Sequence, residues 1–291
     1  MKNINSFNSE DIIEINNQKF KYFDLNKAAK HFEVNLNKIP ISIKIIIENL
    51  LRNEDGENVT KDMISEVFSS LKKINQKEEK IEISFFPTRV LMQDFTGVPA
   101  VADLAAMRNA LKAKGIEPKK INPLSRVDLV IDHSVIADFH GTEDALQQNV
   151  ALEYERNGER YSFLKWAAQA FKNVRIVPPG AGILHQVNIE YIANVVTGRE
   201  INGELCAIPD SLLGMDSHTT MVNGISVFGW GVGGLEGGTA MLGQPISMLI
   251  PDVVGCKLIG ELGPASTPTD VAFFCLLQQQ MLTILDVLQR E

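Results

Sequence analysis

The sequence is poor in cysteine, in long apolar runs and in surplus positive charge, and each shortage removes a class of function. Cys206, Cys256 and Cys275 are the three cysteines of a 291-residue chain. No two form a C-x-x-C pair, so neither a zinc site nor a disulfide framework is expected. Small buried thiols are the simplest reading of all three, and they fit a reducing cytoplasm. No apolar run approaches the roughly 18 residues that mark a membrane-spanning helix. The opening residues MKNINSFNSEDIIEINNQKF hold neither an apolar secretory core nor an Arg-rich, acid-poor leader. A cytoplasmic protein without membrane attachment is expected. Lys and Arg number 28 against 36 Asp and Glu, giving a net charge of −8. That balance disfavours nucleic-acid backbone as a partner, because such affinity comes from clustered cations that release counterions.

What is present is an ordinary globular mixture, 45% hydrophobic and 22% charged. Residues 1–80 read as a helical amino-terminal region. Pro40–Leu51 and Met63–Leu71 each carry an apolar face at helical spacing, with a polar turn around Gly56 between them. The texture changes at Ile81. Strand-like runs at 81–86, 127–131 and 174–177 then alternate with helical runs at 101–114, 145–155, 162–171 and 189–196. Such interleaving predicts an α/β fold, a three-layer domain with a largely parallel sheet, over residues 81–250. A strand pair is expected within 246–262. Residues 251–291 are expected to open a second α/β domain, truncated at the chain's end. A helix start is signalled there by Thr267, Pro268 and Asp270.

Parallel sheets gather ligands at the carboxyl ends of their strands. Four polar stations fall at expected strand ends: Arg89–Gly97, Asp132-His133-Ser134, Pro178–Gln186 and Asp216-Ser217-His218-Thr219. The chain has five histidines, and His133, His185 and His218 all lie in these stations. One Asp-His pair at a strand end is most simply a cap or a satisfied core histidine; three coincidences favour a site. The glycine-rich segment 224–238 lacks the Lys of a phosphate loop and the spacing of a dinucleotide turn. Close backbone packing is its simplest reading.

At these stations the sequence resembles the aconitase family, in the branch of aconitase A and cytosolic aconitase–iron regulatory protein. The resemblance rests on Pro87–Arg108, Val130–Val135, Pro178–Gln186, Gly214–Gly224, Gly229–Gly234 and Met241–Pro245. It runs from about residue 15 to 262. It implies a hydro-lyase that converts citrate to isocitrate through cis-aconitate. By that likeness Gln93, Asp216, Ser217 and His218 bind a citrate- or isocitrate-type substrate. Asp132 and His133 pass a proton to the departing hydroxyl, and His185 is supported by Asp216. Asn223 falls near the cluster of relatives. Hydroxide leaves poorly, so the chemistry wants a Lewis acid and a proton donor. In the family a 4Fe-4S cluster supplies the first and an Asp-supported imidazole the second.

Family members are much longer, and their cluster cysteines fall beyond the point where this sequence ends. None of Cys206, Cys256 and Cys275 stands at a ligand position, so no metal ligands are expected within this chain. The expectation is an amino-terminal fragment unable to catalyse alone. A non-catalytic remnant, one piece of a split enzyme completed by a carboxy-terminal chain, and an RNA-binding module are the alternatives. The acidic balance weighs against the last.

Overall fold

The computed structural model describes residues 3–73, 81–255 and 257–275. Its contacts divide the chain into two compact units, residues 1–250 and 251–291. The first unit opens on a hairpin rather than a helix: β1 (Glu10–Ile15) and β2 (Gln18–Phe23) pair antiparallel around Asn16-Asn17. Both asparagines take positive φ, 51° and 61°, the backbone that a two-residue hairpin turn requires and that Asn tolerates. Helices then follow as expected. They are α1 (Leu25–Phe32), capped by Asp24, α2 (Ile41–Arg52), and α3 (Lys61–Ser70), capped by Thr60. Ile43, Ile46, Ile47, Leu50 and Leu51 of α2 are buried in the main core.

β3 (Glu82–Phe85) follows, but it stands apart from the main sheet. It pairs with β11 (Ile246–Leu249), so the strand pair expected within 246–262 forms with a distant partner instead. Between them the chain lays down β4 (Arg89–Gln93), α4 (Asp94–Ala113), β5 (Arg126–Val130), α5 (Ala145–Ala170) and β6 (Val174–Val177). Next come the short α6 (Ile189–Ile192), β7 (Val196–Ile201), β8 (Glu204–Pro209), β9 (Ser211–Gly214), β10 (Phe228–Gly231) and α7 (Gly234–Met241). The segment expected to be helical over 189–196 thus yields one helical turn before turning into β7. The helices expected at 145–155 and 162–171 are one helix, bent where Asn157 leaves helical geometry at φ −118°, ψ 19°.

Five strands, ordered β10-β9-β4-β5-β6 and all parallel, form the central sheet. This is the expected α/β layering. Val90, Met92, Val127 and Leu129 enter the large core, whereas Leu91, Val130 and Leu212 join Leu184, Ile189 and Ile192 in a smaller cluster. Both faces are therefore covered, which is why these strands read as unbroken apolar runs. The chain moves outward from β4 to β5 and β6, then returns to place β9 on the other side of β4. That reversal creates a switch point at the carboxyl edge. A second sheet, β1-β2-β8-β7, joins the amino-terminal hairpin to the 196–209 hairpin.

In the unit 251–291, the described residues from 268 to 275 are helical. Thr267 and Asp270 form the capping pair: the Thr267 N–H donates to Asp270 Oδ2 at 2.7 Å. The remainder of that expected helix lies outside the described residues.

Candidate active site

The Asp132, Pro178 and Asp216 stations emerge at the carboxyl edge of the central sheet, and the Arg89–Gly97 station reaches that edge at Gln93. Gln93 ends β4, and Asp132-His133 follow β5 by one residue. His185 sits in a π-type turn, Leu184–Asn188, after β6, and Asp216 follows β9 by one residue. Arg89–Gln93 is thus itself the central strand, not a loop behind the first one.

The loops are tied together by carboxylates. Asp94, the first residue of α4, accepts the backbone N–H of His133 at 3.1 Å and of Ser134 at 3.0 Å. Arg160 of α5 donates to Ser134 Oγ at 2.7 Å and stands 3.7 Å from Asp94. Asp132, 8% exposed, contacts His133 Nδ1 through Oδ1 and accepts the Leu184 N–H at 2.6 Å through Oδ2. One side chain therefore orients the imidazole of its neighbour and anchors the turn that carries His185. Asn188 holds the other end of that turn, donating to the carbonyls of Gly182 at 2.6 Å and Ala181 at 3.2 Å. Asp94, Arg160 and Asn188 escaped the sequence reading. Asp94 was the most accessible of them, since an Asp opening a helix directly after a strand is an anion-poised position.

Asp216 is fixed in the same manner. Its Oδ1 accepts both the backbone N–H of His218 at 3.1 Å and the ring Nδ1 of His218 at 3.0 Å. The turn closes because Gly214 leaves room for Thr219: a Cβ at position 214 would overlap the Thr219 side chain. Thr219 Oγ1 then donates to the Asp216 carbonyl at 2.9 Å.

The result is a convergence of three imidazoles. His185 and His218 stack with ring centroids 4.1 Å apart, and His133 lies 5.9 Å from the first and 6.4 Å from the second. Ligand-type atoms of His133, His185, Asp216 and His218 all fall within 4.8 Å of one another, as do those of Asp94, Asp132 and His133. Such a set can hold a cation or a polar small molecule. Asp216 Oδ2 and His185 Nδ1 are buried, 3.9 Å apart, and among the described residues neither has a hydrogen-bond partner. Gln93 Oε1, at the end of the central strand, is likewise buried and unpartnered. Ser217 lies exposed beside His218. Buried polar atoms are normally satisfied. These three polar atoms at one edge are able to meet the polar groups of a ligand.

Charge follows from the same geometry. Burial, with the neighbouring His218 and His133, pushes His185 below the ordinary histidine value despite Asp216 and Asp132. Burial alone would raise Asp216. The His218 N–H and ring, and the His218 and His133 charges, outweigh it and hold the carboxyl below its ordinary range. Asp216 is therefore ionised at neutral pH beside an imidazole that resists protonation.

A parallel sheet with acid-supported histidines at its switch point has the chemistry needed for acid–base work on a small ligand. The chain belongs to the aconitase family: the family model, aconitase family (aconitate hydratase), matches residues 63–282. It is 54% identical to aconitate hydratase A of Salmonella typhimurium over 263 residues, which is 90% of this chain and 29% of that protein. It is 51% identical to aconitate hydratase A of Rickettsia prowazekii over 287 residues, 98% of this chain and 30% of that protein. The Escherichia coli protein of the same name is 53% identical over 263 residues, 90% of this chain and 29% of that protein. The chain thus spans about 30% of the length of these relatives. Among the described residues no helix is long and apolar enough to cross a membrane.

Proposed function

We propose that this chain forms one wall of an aconitate hydratase active site, which moves water across adjacent carbons of a citrate- or isocitrate-type tricarboxylate. The observation that carries the proposal is the meeting of His133, His185 and His218 with Asp132 and Asp216 at one sheet edge. Asp132 fixes the tautomer of His133 with Nδ1 facing the carboxylate, leaving Nε2 to deliver a proton to a departing hydroxyl. His218, aligned by Asp216, binds substrate oxygen, and Gln93 and Ser217 add polar contacts at the rim. His185, kept neutral by burial, gives a hydrogen bond without adding a charge.

The aconitase family uses a 4Fe-4S cluster, which supplies Lewis acidity toward the hydroxyl. The described residues do not fit that group. Cys206 is buried in β8, where burial pushes its thiol up and away from the thiolate a cluster needs. Cys275 belongs to the other unit, and Cys256 lies outside the described residues. On this reading turnover needs cluster ligands beyond the described residues, whose own contribution is binding and proton transfer.

Titrating the 291-residue chain with tricarballylate, while following imidazole resonances by NMR, tests the binding role. The His133, His185 and His218 signals should shift together and saturate, and His218→Ala should weaken binding roughly tenfold, as expected for a lost charge-assisted hydrogen bond. Shifts confined to one imidazole would remove the proposal. After iron and sulfide reconstitution the same chain should hold no stoichiometric cluster and should not hydrate cis-aconitate. Turnover with a stable cluster would overturn this reading.

A further inference from the structure

The opposite edge of the central sheet carries a second concentration of charge, of the other sign. A cavity of about 360 Å³ opens between the amino ends of β4, β5 and β6 and the strand β7. Five cations line it, Arg89, Arg126, Lys172, Arg175 and Arg199, against one carboxylate, Asp210. Asp128 lies fully buried behind them, bonded to Arg175 Nε at 2.6 Å and Arg89 Nη1 at 3.2 Å. Two carboxylates against five cations leave three positive charges uncompensated, in a chain whose net charge is −8.

The surplus belongs to particular atoms. Arg89 is spent on Asp128, Asp210 and the Ile192 carbonyl. Arg175 Nη2 is buried with no acceptor. Arg199 offers Nη2 to the Leu124 carbonyl at 2.9 Å, and among the described residues it meets no carboxylate. Burial, and then the nearby Arg52 charge, push the Arg199 guanidinium below its ordinary value, a cost that an anion beside it would relieve. Lys172 is exposed at the rim, and among the described residues its ammonium has no acidic partner.

We propose that this cavity binds a phosphate dianion, either free or as the head of a small phosphomonoester. Guanidinium forks present paired donors that match phosphate oxygens. Cations converging from four strands suit a tetrahedral group, which accepts bonds in more directions than a planar carboxylate. The volume lies within the range of small-molecule sites and exceeds what phosphate alone fills. Strands of four or five residues span roughly 15 Å, so this site and the imidazole cluster stand at opposite ends of the same sheet.

Calorimetric titration of the full chain with inorganic phosphate, and separately with glycerol 3-phosphate, tests the proposal. Saturable binding with one site per chain is expected for at least one ligand, and the two affinities distinguish free phosphate from the ester. Lys172→Gln is exposed and should fold normally, with unchanged circular dichroism and Tm, while weakening binding severalfold. Adding Arg199→Gln should take the loss to tenfold or more. Absence of saturable binding, affinity unchanged in the double variant, or displacement by equimolar tricarballylate would each overturn the assignment.

Discussion

His185 is the residue whose surroundings make the clearest demand on pH. Its folded value lies below the model-peptide 6.5, burial being the largest cause and the neighbouring imidazoles the next. The unfolded chain therefore takes up this proton first as pH falls. Folded stability contributed at His185 is intact above about pH 6.5 and is eroded below it, down to the depressed folded value. Asp216 acts in a separate window. Its depressed value adds stability that is present above the unfolded 3.8 and lost as pH falls through the folded value. Urea unfolding of the wild type should show a fall in midpoint between pH 7.5 and 5.5, and His185→Gln should flatten part of that fall. An identical slope in the variant would show that the imidazole is not desolvated.

Hairpins illustrate what an element shows in its sequence and what it hides. The Asn202-Gly203 turn that joins β7 to β8 has φ of 53° and 83°, the strongest short hairpin signal available. It nevertheless escaped a reading that followed apolar periodicity, because Val196–Ile201 alternates on a half-exposed surface with Arg and Glu between. Asn16-Asn17 was hidden in the same way inside a polar stretch. The central strands were legible because burial on both faces makes them apolar throughout. Even so, Arg89–Gln93 reads as a polar station at a strand's end and not as the strand itself, since Arg89 and Gln93 at its two ends serve buried ion pairing and the site edge rather than packing. The Asp-His and Asp-Ser-His stations were legible for a local reason: each histidine is oriented by a carboxylate one or two residues away in sequence. Asp94 and Arg160, which reach the same loop from 39 and 26 residues away, leave no such local mark. At this scale Gly203 gives a clean test. Nothing lies within 4 Å of a Cβ placed there, so substitution costs only backbone strain. Gly203→Val should lower stability by about 1–2 kcal/mol with an unchanged denaturant slope, since left-handed geometry is disfavoured for a β-branched residue. A larger loss would mean that the turn packs against something.

For the molecule as a whole, the sheet is clamped at one edge so that it can be open at the other. Arg89, 2% exposed, reaches Asp210 ahead of β9 at 2.8 Å, Asp128 on β5 at 3.2 Å and the last carbonyl of α6 at 2.9 Å. Asp210 also accepts Thr88 Oγ1 at 2.7 Å and the Asn194 N–H at 2.9 Å, so the segment crossing from α6 to β9 is held on both sides. These are the elements whose carboxyl ends carry Gln93, Asp132 and Asp216. A buried ion network contributes little net stability when complete, but losing one member leaves charge uncompensated in a poor solvent for it. Arg89→Met leaves buried Asp210 without an ion-pair partner among the described residues, while Asp128 keeps Arg175 at 2.6 Å and Arg126 at 3.4 Å, and should cost about 3–5 kcal/mol by urea unfolding. Adding Asp210→Asn to that variant removes the carboxylate left unpaired, so the double variant should be more stable than Arg89→Met alone, a non-additivity expected of groups in direct contact. Because β4 and β9 flank the switch point, Arg89→Met should also disturb the imidazole resonances of His133 and His218 at the far edge, at a denaturant concentration where the chain is still folded. A loss below about 1 kcal/mol with undisturbed imidazoles would mean that water reaches Asp128 and Asp210, and that the two edges of the sheet are mechanically independent.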